Sequence, residues 1–257
     1  MTIALEYEVR GAGDSVLLIH GGVVADWFAP VAAEPALRDR YQVINYHRAG
    51  YAGSKSVGGP LGMADQAAHA RRLLDELGVE RAHVVGHSSG ANIALQLALD
   101  HPQAVRSLAL LEPALLVVPS GAFAPKAIEQ FRAGDPAAAV DIWMQGIGGS
   151  DYRTVLDQAL PGAFDAAVAD AATFFGQELP AVRDWQFGPD EAARIDAPVL
   201  AVLGGTSPQA FLQRHELLQA WLSNVEPLVL PGVNHLMPVQ APRLVAEALA
   251  DFFARQR

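Results

Sequence analysis

The strongest constraint on this chain is an alternation. Nearly continuous apolar runs, VLLIH, HVVGH, SLALLE and PVLAVLG, recur between stretches whose apolar residues fall at helical spacing. A run that is apolar at every position suits a central strand covered on both faces. Strands are expected over Ile3–Val9, Val16–His20, Gln42–Tyr46, Ala82–Gly86, Ser107–Glu112, Pro198–Gly204 and Pro227–Leu230. Helices are expected over Asp26–Leu37, Met63–Leu77, Ser89–Leu99, Gln209–Trp221 and Pro242–Arg255. Strand–helix alternation implies an α/β fold, a mostly parallel sheet with helices on both faces.

One stretch interrupts the pattern. From about Pro113 to Asp196 no strand is evident, and Ala124–Arg132, Pro136–Gln145, Tyr152–Leu160, Phe164–Gly176 and Pro189–Ile195 read as helices. Residues 1–112 and 197–257 then form the α/β core of a single domain, and residues 113–196 form a helical cap inserted between two strands. The cap aromatics Trp143, Phe164, Phe174, Phe175, Trp185 and Phe187 either line a ligand cavity or form the cap's own core. Gly146, Gly148 and Gly149 offer hinge-like freedom.

Three short segments carry chemistry. Gly86-His87-Ser88-Ser89-Gly90 lies between the run AHVVG and the helical pattern SGANIALQLAL. A serine on such a turn is strained and crowded, so the residues two positions away must be small. Ser88 Oγ would project above the strand ends, where the amides opening the next helix favour developing negative charge. His20-Gly21-Gly22 follows VLLI and would supply a second donor. The expected oxyanion pair is the Ser89 amide with that of Gly22, or of Val23 instead. Gly232-Val233-Asn234-His235 precedes the final helix, and serine needs a base such as His235 to take its proton. Of the other histidines, His20 reads as structural and His87 is expected to point away from the site. His69, His83, His101 and His215 read as surface or packing residues, and His47 as a residue that could border the pocket.

Taken together, these segments resemble the α/β-hydrolase superfamily: HGG, G-H-S-S-G, a helical insertion and then GVNH, in that order over essentially the whole chain. Arg48-Ala49-Gly50-Tyr51-Ala52-Gly53-Ser54 is similar to the family's R-G-x-G-x-S loop, with Ala49 replacing a glycine. The resemblance implies a catalytic acid, which family members most often carry after the strand that here reads PVLAVLG. Ser207 stands there instead. The family's second placement, the end of the strand after the nucleophile helix, holds Glu112. The catalytic set expected is therefore Ser88, His235 and Glu112. The competing readings are that Glu112 only caps a helix or pairs with a cap arginine, or that a Ser–His dyad operates with Ser207 or water on His235.

Composition removes other classes. With no cysteine there is no disulfide, thiolate metal site or cysteine nucleophile. Lys and Arg number 18 against 28 acidic residues, a net charge of −10 without a basic run, so nucleic acid is not an expected partner. No stretch is long and apolar enough to span a membrane. The N-terminus does not read as a signal peptide, so a cytoplasmic protein is expected. HELLQ over 215–219 lacks the second histidine of a zinc helix, no phosphate-binding loop is present, and no metal or cofactor is implied. Ser88 also argues against the dehalogenases and epoxide hydrolases of the family, which use aspartate.

The expectation is a hydrolase of a small-to-medium, largely apolar carboxylic ester or lactone. Val23, Trp27, Trp143, Phe174 and Phe175 are its candidate substrate contacts. The alternatives are C–C bond hydrolysis, lyase or cyclisation chemistry on the same residues, or non-catalytic binding of a small molecule. A homo-oligomer is left open.

Overall fold

The computed structural model describes residues 4–56 and 61–256. The strands are β1 (Tyr7–Arg10), β2 (Ser15–Ile19), β3 (Gln42–Tyr46), β4 (Ala82–His87), β5 (Val105–Leu111), β6 (Val199–Gly204) and β7 (Val225–Leu230). They form one sheet in the order β1-β3-β2-β4-β5-β6-β7. β1 runs antiparallel to β3, and every other neighbouring pair is parallel. The first expected strand residue, Ile3, lies outside the described residues.

The period of two in a strand explains the layers. Leu17, Ile19, Val84, Leu108, Leu110, Val199 and Ala201 face one apolar cluster, which the helices Met63–Glu76 and Ser89–Asp100 complete. Val16, Leu18, Val85, Ala109, Leu111, Leu200 and Val202 face the other, completed by the helix Pro242–Ala254 and by Phe28, Val31 and Leu37.

Two expected helices are broken. The Asp26–Leu37 pattern yields Ala29–Ala33 and Pro35–Arg38, separated by Glu34 at φ −67°, ψ 134°. Pro35 forces this break, because its ring disfavours helical backbone at the preceding residue. Phe164–Gly176 yields Ala163–Ala169 and Ala171–Thr173, then a wide turn over Phe174–Glu178 in which the Leu179 amide reaches back to the Phe174 carbonyl. A further helix, Leu179–Asp184, lies where apolar spacing predicts none.

The helices between β5 and β6 bury Trp143, Phe174, Phe175, Ile147 and Met144 in one cluster with Val23, Trp27, Leu203, Phe211 and Leu236. That cluster sits over the loops at the C-terminal ends of β2, β6 and β7. Gly146 and Gly148 are sites of close approach within the helix Pro136–Gly148. A Cβ at Gly146 would overlap the Phe123 ring, and one at Gly148 the Leu236 side chain. Among the described residues no helix is long and apolar enough to cross a membrane.

Candidate active site

Ser88 stands between β4 and the helix Ser89–Asp100 at φ 54°, ψ −124°, a conformation sparsely populated for any residue with a side chain. Its neighbours permit it. A Cβ at Gly86 would overlap Ala91 backbone, and one at Gly90 would overlap the carbonyl oxygens of Ile19 and His20. The Ser88 amide is tied to the Leu111 carbonyl at 2.9 Å, so the turn is braced from β5.

Glu112 follows directly on β5 and is itself strained, at φ 48°. Its carboxylate accepts three hydrogen bonds: from His235 Nδ1 at 2.6 Å, from Ser207 Oγ at 2.5 Å and from the Gly204 amide at 2.7 Å. Neither side chain of the Glu112–His235 pair is more than 2% exposed. Ser207, standing where an acid was expected, donates to the acid that replaces it, and among the described residues it makes no hydrogen bond to His235. Because a carboxylate only accepts, Nδ1 carries the imidazole proton and Nε2 is left with its lone pair.

The His235 ring is held from both sides. Phe211 stacks on it at 4.2 Å and 18°, and His87 lies against it at 4.6 Å. His87 therefore does not point away from the site. It follows Val85 to the sheet face on which Val233 and Met237, the flanks of His235, also pack. Burial first, and then the neighbouring His235, push the His87 pKa well below the ordinary histidine range. Being neutral, it donates from Nε2 to the His235 carbonyl at 2.9 Å.

The glycine turn after β2 is clamped. The Gly21 carbonyl accepts from His20 Nδ1 at 2.7 Å and from Arg48 at 2.9 Å. His20 Nε2 accepts from the Arg48 amide at 2.9 Å, so both ring nitrogens of His20 are committed to backbone. Burial first, and then the Arg48 charge, hold its pKa well below the ordinary range. The Gly22 carbonyl accepts from the Trp27 indole at 2.9 Å.

Arg48 itself is buried. It reaches both carboxylate oxygens of Glu178 at 2.9 Å and Gln66 at 2.9 Å, and the Tyr51 hydroxyl also donates to Glu178. This tie between the Arg48–Ser54 loop and the Phe174–Glu178 turn goes beyond the sequence reading. The signal available was Arg48 itself, an arginine two residues after a buried strand, which requires a carboxylate partner if it too is buried.

Ser88, Ser89, His235, Gly22, Trp27, Trp143, Phe174 and His87 border one small pocket of about 40 Å³, with Leu116, Ile147, Leu179 and Val182 closing its apolar side. Of the expected substrate contacts, Trp27, Trp143 and Phe174 border this pocket. Phe175 lies in an adjoining groove, and Val23 borders neither. His47 also stands away from it, between Glu6 at 2.6 Å and Asp26 at 2.9 Å. Among the described residues no group of three His, Asp or Glu side chains is placed to share a metal ion.

The chain is 43% identical over 108 residues to a protein of Azorhizobium caulinodans named "Putative carbamate hydrolase RutD". That match covers 42% of this chain and 40% of the relative. In eight of the curated relatives that the chain matches, the matched share of their own length runs from 30% to 56%, less than two thirds in each. Among solved structures, an enol-lactonase from Burkholderia xenovorans superposes with a TM-score of 0.83 at 20% identity, covering 98% of this chain and 97% of that one. An alpha/beta hydrolase from Sphaerobacter thermophilus superposes with a TM-score of 0.77 at 25% identity, covering 97% and 96%. The sequence profile of the alpha/beta hydrolase fold matches residues 14–242. With nearly the whole sheet, the serine turn and the histidine loop inside that match, the chain belongs to the alpha/beta hydrolase fold family.

Proposed function

We propose that this protein is a serine hydrolase that cleaves a small-to-medium, largely apolar carboxylic ester or lactone through an acyl-enzyme on Ser88. The observation that carries this reading is the buried Glu112–His235 pair, whose His235 borders the same pocket as a strained serine. His235 Nε2 takes the Ser88 proton as Oγ attacks the carbonyl carbon. The same nitrogen returns that proton to the departing alkoxide. It then takes a proton from water, which attacks the acyl carbon and releases the acid. Glu112 holds the Nδ1 tautomer and stabilises the imidazolium formed at each step.

The oxyanion is received by the Ser89 amide at the helix start and by the Gly22 amide. A trans peptide directs its N–H opposite its C=O. Clamping the Gly21 carbonyl with His20 and Arg48 therefore aims the Gly22 amide to the other side. One such donor is worth about 3–4 kcal/mol of barrier. The helices of residues 113–196 act as a cap that excludes water from this small pocket. One relative, by its name, is assigned hydrolysis of another acyl compound, a carbamate, which supports the same class of chemistry.

The test is labelling with a fluorophosphonate followed by intact mass. One adduct on the wild type and none on Ser88→Ala is expected. A folded wild-type protein that takes no label, or a Ser88→Ala variant that still does, would overturn the reading.

A further inference from the structure

The pocket at Ser88 holds only about 40 Å³, room for a reacting carbonyl and little else. An adjoining groove of about 580 Å³ shares Leu116, Ser120, Trp143 and Leu179 with it as common walls. That volume lies in the range of small-molecule sites. Ile128, Phe131 and Phe175 make it apolar. Its only charged lining residues are two arginines, Arg132 at the end of the helix Phe123–Arg132 and Arg183 in the helix Leu179–Asp184. No carboxylate borders it. In a chain with a net charge of −10, two arginines facing one apolar groove without an acid are a local reversal of sign.

Neither guanidinium is committed elsewhere in a way that removes it. Arg132 is exposed and makes no ion pair among the described residues. Arg183 touches the adjacent Asp184 at 3.0 Å, but both side chains are about two-thirds exposed (68% and 70%), where such a pair is worth little. A larger cavity, about 750 Å³ beside Gln96 and Trp185, has no wall in common with the Ser88 pocket. It is therefore not a rival for the substrate's tail.

We infer that the groove binds the distal end of the substrate, and that this end carries a carboxylate: an ester whose apolar chain runs from Ser88 past Trp143 and Leu179 to an anionic terminus at Arg132 and Arg183. This deepens the serine-hydrolase reading and rests on it for the chemistry. The recognition itself rests on the groove. An uncharged tail would gain only apolar burial there, whereas an ω-carboxylate also gains two charge-assisted contacts.

Monomethyl suberate and methyl octanoate have the same chain length and differ in the terminal carboxylate, so their kcat/KM ratio isolates it. The wild type should prefer monomethyl suberate by about fivefold or more, the scale of one or two partly exposed charge pairs. Arg132→Gln with Arg183→Gln should bring the ratio close to 1. Parity or a preference for methyl octanoate in the wild type, or a preference that survives both substitutions, would overturn the inference.

Calorimetric titration of the Ser88→Ala variant with the same two methyl esters reads the groove without turnover. If neither ester is cleaved and Ser88 takes no label, the hydrolase reading fails. The groove then stands only if monomethyl suberate binds the wild type more tightly than methyl octanoate and the double variant abolishes the difference. Equal binding overturns it.

Discussion

Glu112→Gln changes one atom and inverts one interaction. The glutamine oxygen can still accept from the Gly204 amide and from Ser207, bonds of 2.7 and 2.5 Å in the wild type. Its NH₂ must then face His235 Nδ1, 2.6 Å away from the present carboxylate oxygen. Two donors cannot meet at that distance, so His235 adopts the other tautomer, with its proton on Nε2 and no lone pair for Ser88. The imidazolium also loses its counter-charge in a site where neither side chain is more than 2% exposed. Such a loss in a comparable serine site lowers kcat by about 10⁴, roughly 5 kcal/mol.

We expect kcat with p-nitrophenyl butyrate to fall by about 10³–10⁴ while KM changes only a few-fold. The substitution is isosteric and keeps two of the three hydrogen bonds, so urea unfolding should show a stability loss within about 2 kcal/mol. Adding Glu112→Gln to Ser88→Ala should lower activity no further, because the groups act as a unit. A folded Glu112→Gln protein within tenfold of wild-type kcat would refute the assignment of the acid.

Four further outcomes are expected. Ser207→Ala removes one donor from Glu112 but leaves the other two, so it should cost about 1–2 kcal/mol of stability in urea unfolding and far less activity than Glu112→Gln. An equal loss of kcat would mean that Ser207 acts on His235 directly. Gly90→Ala drives a Cβ into the Ile19 and His20 carbonyls, so thermal unfolding should show at least about 3 kcal/mol of destabilisation, and an unchanged midpoint would contradict this close approach of the helix start to β2. Glu178→Gln leaves the Arg48 cation buried without its partner and should cost about 3–5 kcal/mol. Arg48→Met combined with Glu178→Leu should recover part of that in urea unfolding; a single variant costing under about 1 kcal/mol would show that the pair is not buried as described.

The fourth concerns pH. Burial pushes His20 and His87 well below the ordinary histidine range and His83 down to about 4. In the unfolded chain these residues titrate near 6.5. As pH falls below about 6.5 the unfolded state takes up protons that the folded state refuses. Stability should therefore decline, by up to about 1.4 kcal/mol per pH unit for each such histidine. Urea midpoints at pH 7 and pH 5 that coincide would contradict this.

What the sequence alone determined follows from short-range physics. Apolar runs two-sided in their hydrophobicity have few homes other than a covered parallel sheet, and the strand registers bear that out. The Ser88 turn is legible because its steric demands fall on Gly86 and Gly90, two residues away. The helix break at Pro35 is equally local: apolar spacing reads straight through it, whereas the steric rule for the residue before a proline does not.

The tertiary structure decided everything that joins distant positions. Glu112 can be named from sequence as an acid ending a strand, but its meeting with His235, 123 residues away, depends on how β5, β6 and the loop after β7 align. That alignment also turns Ser207 from a missing acid into a donor for Glu112. His87 escapes a sequence reading because side-chain alternation tells which sheet face a residue takes and not which loop descends on that face. The Arg48–Glu178 tie, 130 residues apart, leaves no periodic trace at all. Local sterics and hydrophobic period are written along the chain, residue by residue. The pairing of buried charges is set by the packing of layers, which no short stretch of sequence contains.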